Sequence, residues 1–168
     1  PGVDRVGRFG WKGQLPTILS FSADAAHNEL GLSSLLLPDD NAPNGPAGSG
    51  ACDDVADPEL SNLGPTSFLI EVTDFQRLMA APPQAPRGGM HGETIFGSIG
   101  CATCHTPSYT TSDDPSLEAA LRNRTIRPYS DFLLHDMPAI PDGIPAGLAG
   151  PDDIRTPPLW GLRFREIG

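Results

Sequence analysis

Midway along the chain runs Gly97-Ser98-Ile99-Gly100-Cys101-Ala102-Thr103-Cys104-His105. Cys101, Cys104 and His105 spell C-x-x-C-H, the pattern by which a c-type haem is attached to a polypeptide. The spacing follows from the chemistry. Two thiols must reach two vinyl groups on one edge of a porphyrin, and three residues apart they share one face of a turn. His105, the next residue, then presents its imidazole to the iron as an axial ligand that tunes the metal. Two other uses of paired cysteines fit less well. A structural zinc site takes four protein ligands, often as two pairs, and only Cys52 and three other histidines remain, none spaced as a second pair. A thioredoxin-like dithiol follows a strand in a βαβ pattern, which is not visible here. The motif therefore predicts one haem c, covalent through Cys101 and Cys104.

A length of 168 residues suits one domain. Hydrophobic content is 38% and aromatic content 7%, thin for a core unless a buried porphyrin supplies apolar surface of its own. Gly and Pro number 19 each, so nearly a quarter of the chain favours turns. Together these predict a mainly α fold: a cytochrome c-like haem domain with a few helices and long Gly/Pro-rich loops. In that reading 1–168 is a single c-type cytochrome domain, with wrapping helices and loops over 1–90 and a haem-attachment core over 91–168. Such a domain should lack a stable core without its cofactor.

The net charge of −10 argues against a nucleic-acid partner. It favours basic partners, or simply a well-solvated surface. No run of about 18 apolar residues is present, so no transmembrane segment is expected, and no signal peptide is visible. Because haem c is attached outside the cytoplasm, the motif implies a periplasmic or otherwise extracytoplasmic location. The chain opens at Pro1 and closes at Gly168 without an obvious terminal element, which reads as part of a longer protein.

Hydrophobic spacing places three helices. One starts near Pro16, carries Leu15, Ile18, Leu19, Ala23, Ala26 and Leu30, and ends at Gly31. A second runs from about Pro65 to Ala80, capped by Thr66 or Ser67, with Phe68, Leu69, Val72, Phe75, Leu78 and Met79 as its buried stripe. The third, from His91 to Cys104, turns Ile95, Phe96 and Ile99 inward, and Gly97 and Gly100 leave room for close approach. A short fourth helix over Leu117 to Arg122 would follow Asp114-Pro115-Ser116. Pro38 to Pro58 reads as an acidic surface loop holding Cys52. An unpaired cysteine there is unusual in an oxidising compartment.

Four ordered motifs then add up to a family. They are Gly7-Arg8-Phe9-Gly10-Trp11-Lys12, Phe96 through Pro107, Pro128-Tyr129-Ser130-Asp131 with Leu134-His135-Asp136-Met137, and Arg155-Thr156-Pro157-Pro158-Leu159-Trp160-Gly161. Together they resemble the di-haem oxidoreductase family, also called thiol-oxidoreductase-like or peroxidase-like, distant relatives of bacterial di-haem cytochrome c peroxidases. The resemblance spans nearly the whole chain. It implies a second C-x-x-C-H before the Gly-Arg-Phe-Gly-Trp segment and a His-Asp-Gly after the last motif, and neither lies in this sequence.

The sixth iron ligand separates a carrier from an enzyme, since His/Met ligation saturates the iron and raises its potential. Met137, His135, Met90, Met79, His91 and His27 are the candidates. Met137 is preferred, because it sits in an irregular loop well after His105 and the resemblance places a Leu-His-Asp-Met there. Arg127 and Arg155 are candidate partners of the haem propionates, and Tyr129 and Trp160 candidate pocket residues. The proximal imidazole should donate its free N–H to a backbone carbonyl, with Pro128 the candidate. The expected function is extracytoplasmic electron transfer with other redox proteins or haem subunits. The alternative is the cytochrome half of a di-haem peroxidase-like oxidoreductase.

Overall fold

A computed structural model describes residues 4–41, 59, 63–83 and 91–162. Cys52 and Met90 fall outside the described residues. The chain divides into two compact units, one formed by Pro1–Gly10 with Gln14–Met79, the other by Trp11–Gly13 with Ala80–Gly168.

In the first unit, helix α1 spans Ile18–Ala25. Thr17 starts it with a reciprocal cap, Thr17 Oγ1 accepting from the Ser20 N–H at 3.0 Å and Ser20 Oγ accepting from the Thr17 N–H at 3.1 Å. A π-helical turn continues through Ala26–Leu30 and stops at Gly31, whose φ of +70° suits glycine. Helix α2 spans Phe68–Leu78, and Ser67 caps it by accepting from the Ile70 N–H. Glu59 adds a second cap, one carboxylate oxygen accepting from the Phe68 N–H at 2.9 Å. The core between the two helices is Ala23, Ala26 and Leu69, flanked by Leu19, Leu32, Leu37 and Leu63.

The expected buried stripe of α2 is only partly realised. Leu69 and Thr73 are buried, while Phe75 is 70% and Met79 61% exposed. The face turned to α1 carries polar groups: Thr73 Oγ1 and Gln76 Nε2 both donate to Ser22 Oγ at 3.2 Å. A buried hydroxyl needs such partners, and they fix which side of α2 packs.

In the second unit, helix α3 spans Gly92–Ser98. Two antiparallel pairs follow: β1 (Tyr109–Thr110) with β2 (Thr125–Ile126), and β3 (Leu134–Asp136) with β4 (Asp153–Arg155). In the second pair Leu134 faces Arg155, His135 faces Ile154 and Asp136 faces Asp153. The ladder runs one step further at each end, through Thr156 N–H to the Leu133 carbonyl and Met137 N–H to the Asp152 carbonyl.

The fold is therefore not mainly α, which corrects the expectation. The α-helices among the described residues number three and hold 8, 11 and 7 residues, beside two small antiparallel sheets. Proline explains much of the difference. Pro107, Pro115, Pro128, Pro138, Pro141, Pro145, Pro151, Pro157 and Pro158 punctuate the chain after the attachment motif. Each removes a donor and pushes its predecessor towards extended backbone. The expected helix over Leu117 to Arg122 closes only as turns, and Thr111 Oγ1 donates at 2.7 Å to the Leu121 carbonyl.

Lys12 anchors the second unit. Its side chain is 1% exposed, and Nζ donates to Asp142 Oδ1 at 2.8 Å, the Asp153 carbonyl at 2.6 Å and the Gly150 carbonyl at 3.2 Å. A buried ammonium is tolerable when its donors are all used. Trp11 Nε1 donates to the other oxygen of Asp142 at 2.8 Å. Hydrogen bonds from Lys12, from the Ile144 N–H and from the Trp11 indole hold the Asp142 carboxyl down to about 2.

Candidate haem-attachment site

The attachment motif sits where α3 ends. Ile99 N–H still donates to the Ile95 carbonyl at 3.0 Å, but Gly100 turns left-handed at φ +89°. That conformation carries no steric penalty for glycine. A Cβ added at Gly100 would touch nothing, so backbone rather than crowding is what requires glycine there. A single 3₁₀ turn, Cys101–Thr103, follows, and His105 N–H donates back to the Cys101 carbonyl at 3.0 Å. The motif is thus a turn, not the end of the long helix expected from His91 to Cys104. Cys101 and Cys104 are half-buried and in no disulfide.

His105 is oriented from the far side of its ring. Nδ1 lies 2.7 Å from the Tyr129 carbonyl. A carbonyl only accepts, so Nδ1 carries the proton and Nε2 keeps its lone pair. Tyr129, one residue beyond the expected Pro128, supplies that carbonyl from a left-handed backbone, φ +52°. Such a backbone costs a residue with a Cβ about 1–2 kcal/mol. Neighbouring contacts hold it: Ser130 N–H donates to the Thr106 carbonyl and Leu159 N–H to the Pro128 carbonyl. Tyr129 Oη donates to Glu93 at 3.2 Å, and Phe96 lies edge-on to both the Tyr129 and His105 rings. Ser130, fully buried, donates from Oγ to the Thr156 carbonyl at 2.7 Å and accepts from the Phe132 N–H at 2.8 Å.

Asp131 ties this turn to β3. Its N–H donates to the Cys104 carbonyl at 2.8 Å, and its carboxylate accepts from the Leu133 N–H at 3.0 Å and from His135 Nε2 at 2.9 Å. Burial pushes the Asp131 carboxyl up, but hydrogen bonds from Leu133, Thr156 and His135 outweigh it and leave the group below its ordinary range. A Cys104 sulfur, an Asp131 oxygen and a His135 nitrogen all lie within 4.8 Å of one another.

The other residues expected at the site are placed as follows. Met137 is 39% exposed and extends the ladder beyond β3. Arg155 donates from Nε to the Phe132 carbonyl at 3.2 Å and lies over the Phe132 ring. In the ladder it faces Leu134, so it projects to the side opposite His135. Arg127 lies 3.9 Å from Glu93, the same carboxylate that receives Tyr129 Oη. Trp160 is half-buried at the end of the Arg155-to-Gly161 motif. His27 Nε2 is taken up by the Asp39 carbonyl at 2.8 Å in the first unit, Met79 is exposed, and His91 is exposed just before α3. The two thiols, a histidine with Nε2 left over, and the exposed Ile95 of α3 and Ile99 just beyond its end fit a covalently held haem with an apolar ring to cover.

A family model described as "Di-haem oxidoreductase, putative peroxidase" matches residues 1–167. The chain belongs to the di-haem oxidoreductase family. No curated protein and no solved structure matches it. Among the described residues no helix is long and apolar enough to cross a membrane. Four residues to which the sequence reading gave no role at the site shape it: Glu93, Phe96 as an edge-on neighbour of the histidine, Ser130 and Asp131. Only the Pro128-to-Asp131 motif hinted at the last two.

Proposed function

We propose that this di-haem oxidoreductase family member is an extracytoplasmic electron-transfer domain carrying one covalent haem c. The observation that carries the reading is the bond from His105 Nδ1 to the Tyr129 carbonyl, which leaves Nε2 as the ligand beside two unpaired thiols. A haem bound there would supply one-electron chemistry at its iron. Cys101 and Cys104 would anchor the ring, His105 would ligate from one side, and Met137 from the other. Tyr129 fixes the plane and tautomer of the imidazole, so electron transfer would proceed with little rearrangement. Redox proteins or haem subunits with basic surfaces suit the acidic chain as partners.

The family description favours a second reading, in which the chain is the cytochrome half of a peroxidase-like enzyme with two haems. Replacing Met137 separates the two. In the carrier reading the wild type is six-coordinate and low-spin in both oxidation states, and Met137→Ala becomes high-spin and newly reactive with peroxide. A wild type that is already high-spin and oxidises donors with peroxide defeats the carrier reading.

A further inference from the structure

We propose that Asp131 and His135 are a positioning pair that couples the attachment turn to the strand presenting Met137. The inference rests on Met137 being the sixth ligand. Asp131 makes three contacts at once: the Cys104 carbonyl through its own N–H, the Leu133 N–H through Oδ1, and His135 Nε2 through Oδ2. The first contact belongs to the turn that holds both thiols. The third belongs to β3.

Strand geometry carries the link onward. Side chains alternate across a strand, so residues two apart share a face about 6.6 Å along. His135 and Met137 are two apart, and the ladder continues through Met137 into Asp152. The face of β3 that carries His135 is the face that comes within 4.8 Å of the Cys104 sulfur, so Met137 is presented on the haem side of the strand. Arg155, on the opposite face, locks the other side of the ribbon onto Phe132. A slip of one residue would turn Met137 away from the ring and Asp136 towards it. The His135–Asp131 bond resists that slip, because only the His135 register brings a ring nitrogen to Asp131. Asp131 is 12% exposed at its side chain, which limits competition from water.

The pair should therefore govern how firmly Met137 holds the iron, not whether the haem is attached. Imidazole, which competes with the methionine for oxidised iron, reads this in the holoprotein. His135→Leu should bind imidazole at least tenfold more tightly than the wild type, with the thioether-to-iron absorption band weakened. His135→Gln, which can still donate to Asp131, should return close to wild type. Asp131→Asn keeps an acceptor for the Leu133 N–H but weakens the bond to His135, so it should shift in the same direction as His135→Leu by a smaller factor; it also serves where His135→Leu folds poorly. Equal imidazole affinity in wild type, His135→Leu and Asp131→Asn, while Met137→Ala differs from all three, overturns the positioning pair and leaves the His/Met reading standing. Wild type and Met137→Ala behaving alike overturns that reading and the pair with it.

Discussion

His105 and Met137 are the two proposed ends of one axis through the iron, and the chain holds them by different means. His105 sits in a turn closed by its own N–H on the Cys101 carbonyl and tied by the Asp131 and Ser130 N–H groups to the Cys104 and Thr106 carbonyls, and its ring is fixed by a bond of 2.7 Å to a carbonyl aimed by a left-handed tyrosine. Met137 is 39% exposed, and its backbone ties it into the strand register. A strong ligand is oriented at its own ring; a weaker one is presented by the element that carries it. Changes on the His105 side should therefore act on attachment and folding, and changes on the Met137 side on ligation.

The largest effect should come from the thiols. The double variant Cys101→Ala/Cys104→Ala should lose all covalent haem: acid–acetone extraction should leave a colourless chain of apo mass, whereas the wild type should stay red and heavier by one haem. Colour that washes out of the wild type would remove the basis of the comparison.

Lys12→Met should come next. It strands two carbonyls and the Asp142 carboxylate beneath β4, and each buried carbonyl without a donor costs about 1–3 kcal/mol. A loss on the order of 3 kcal/mol in urea unfolding is expected, with Met137 ligation failing at lower urea than haem absorbance near His105 changes. Simultaneous loss of both would show that the two sides are one cooperative unit. Ser130→Ala should cost less, about 1–2 kcal/mol, since it removes one buried hydroxyl bridging the Tyr129 loop to Thr156. Its thermal midpoint should fall while the sixth ligand stays in place.

The family was legible in the sequence because four ordered motifs fix residue type and spacing over nearly the whole chain. Helix α1 and the start of α2 were legible too, through Gly31 and Ser67, which act locally. The packed face of α2 was not, because Thr73 and Gln76 pack against Ser22 by hydrogen bonding and leave no hydrophobic period to read. Strands β3 and β4 have three residues each, too few for an alternation to show. Lys12 was hidden for another reason: nothing local to a glycine-rich entry says that its ammonium will be buried against residues 130 to 141 positions later. Pro128-Tyr129-Ser130-Asp131 marked the right loop, but the carbonyl that meets His105 belongs to Tyr129, and only its left-handed backbone reveals that.

The smallest effect, in pH, tests the Met137 side alone. The Asp142 carboxyl is held down to about 2 in the folded chain, while an unfolded aspartate titrates at about 3.9. A group whose folded pKa is depressed contributes stability that is full above the unfolded value and fades as pH falls towards the folded one. The Lys12–Asp142 contact should thus be intact at pH 5 and weaken between about pH 4 and pH 2. Asp142→Asn keeps the side-chain shape and loses the charge, so its stability should run below the wild type at pH 5 and converge on it as pH falls through that window. Because Asp142 supports the loop that closes on β4 and not the attachment turn, convergence should be seen in a probe of Met137 ligation and be absent from a probe of the His105 environment. Parallel curves with no convergence would mean that the carboxylate is not the group through which Lys12 steadies this half of the site.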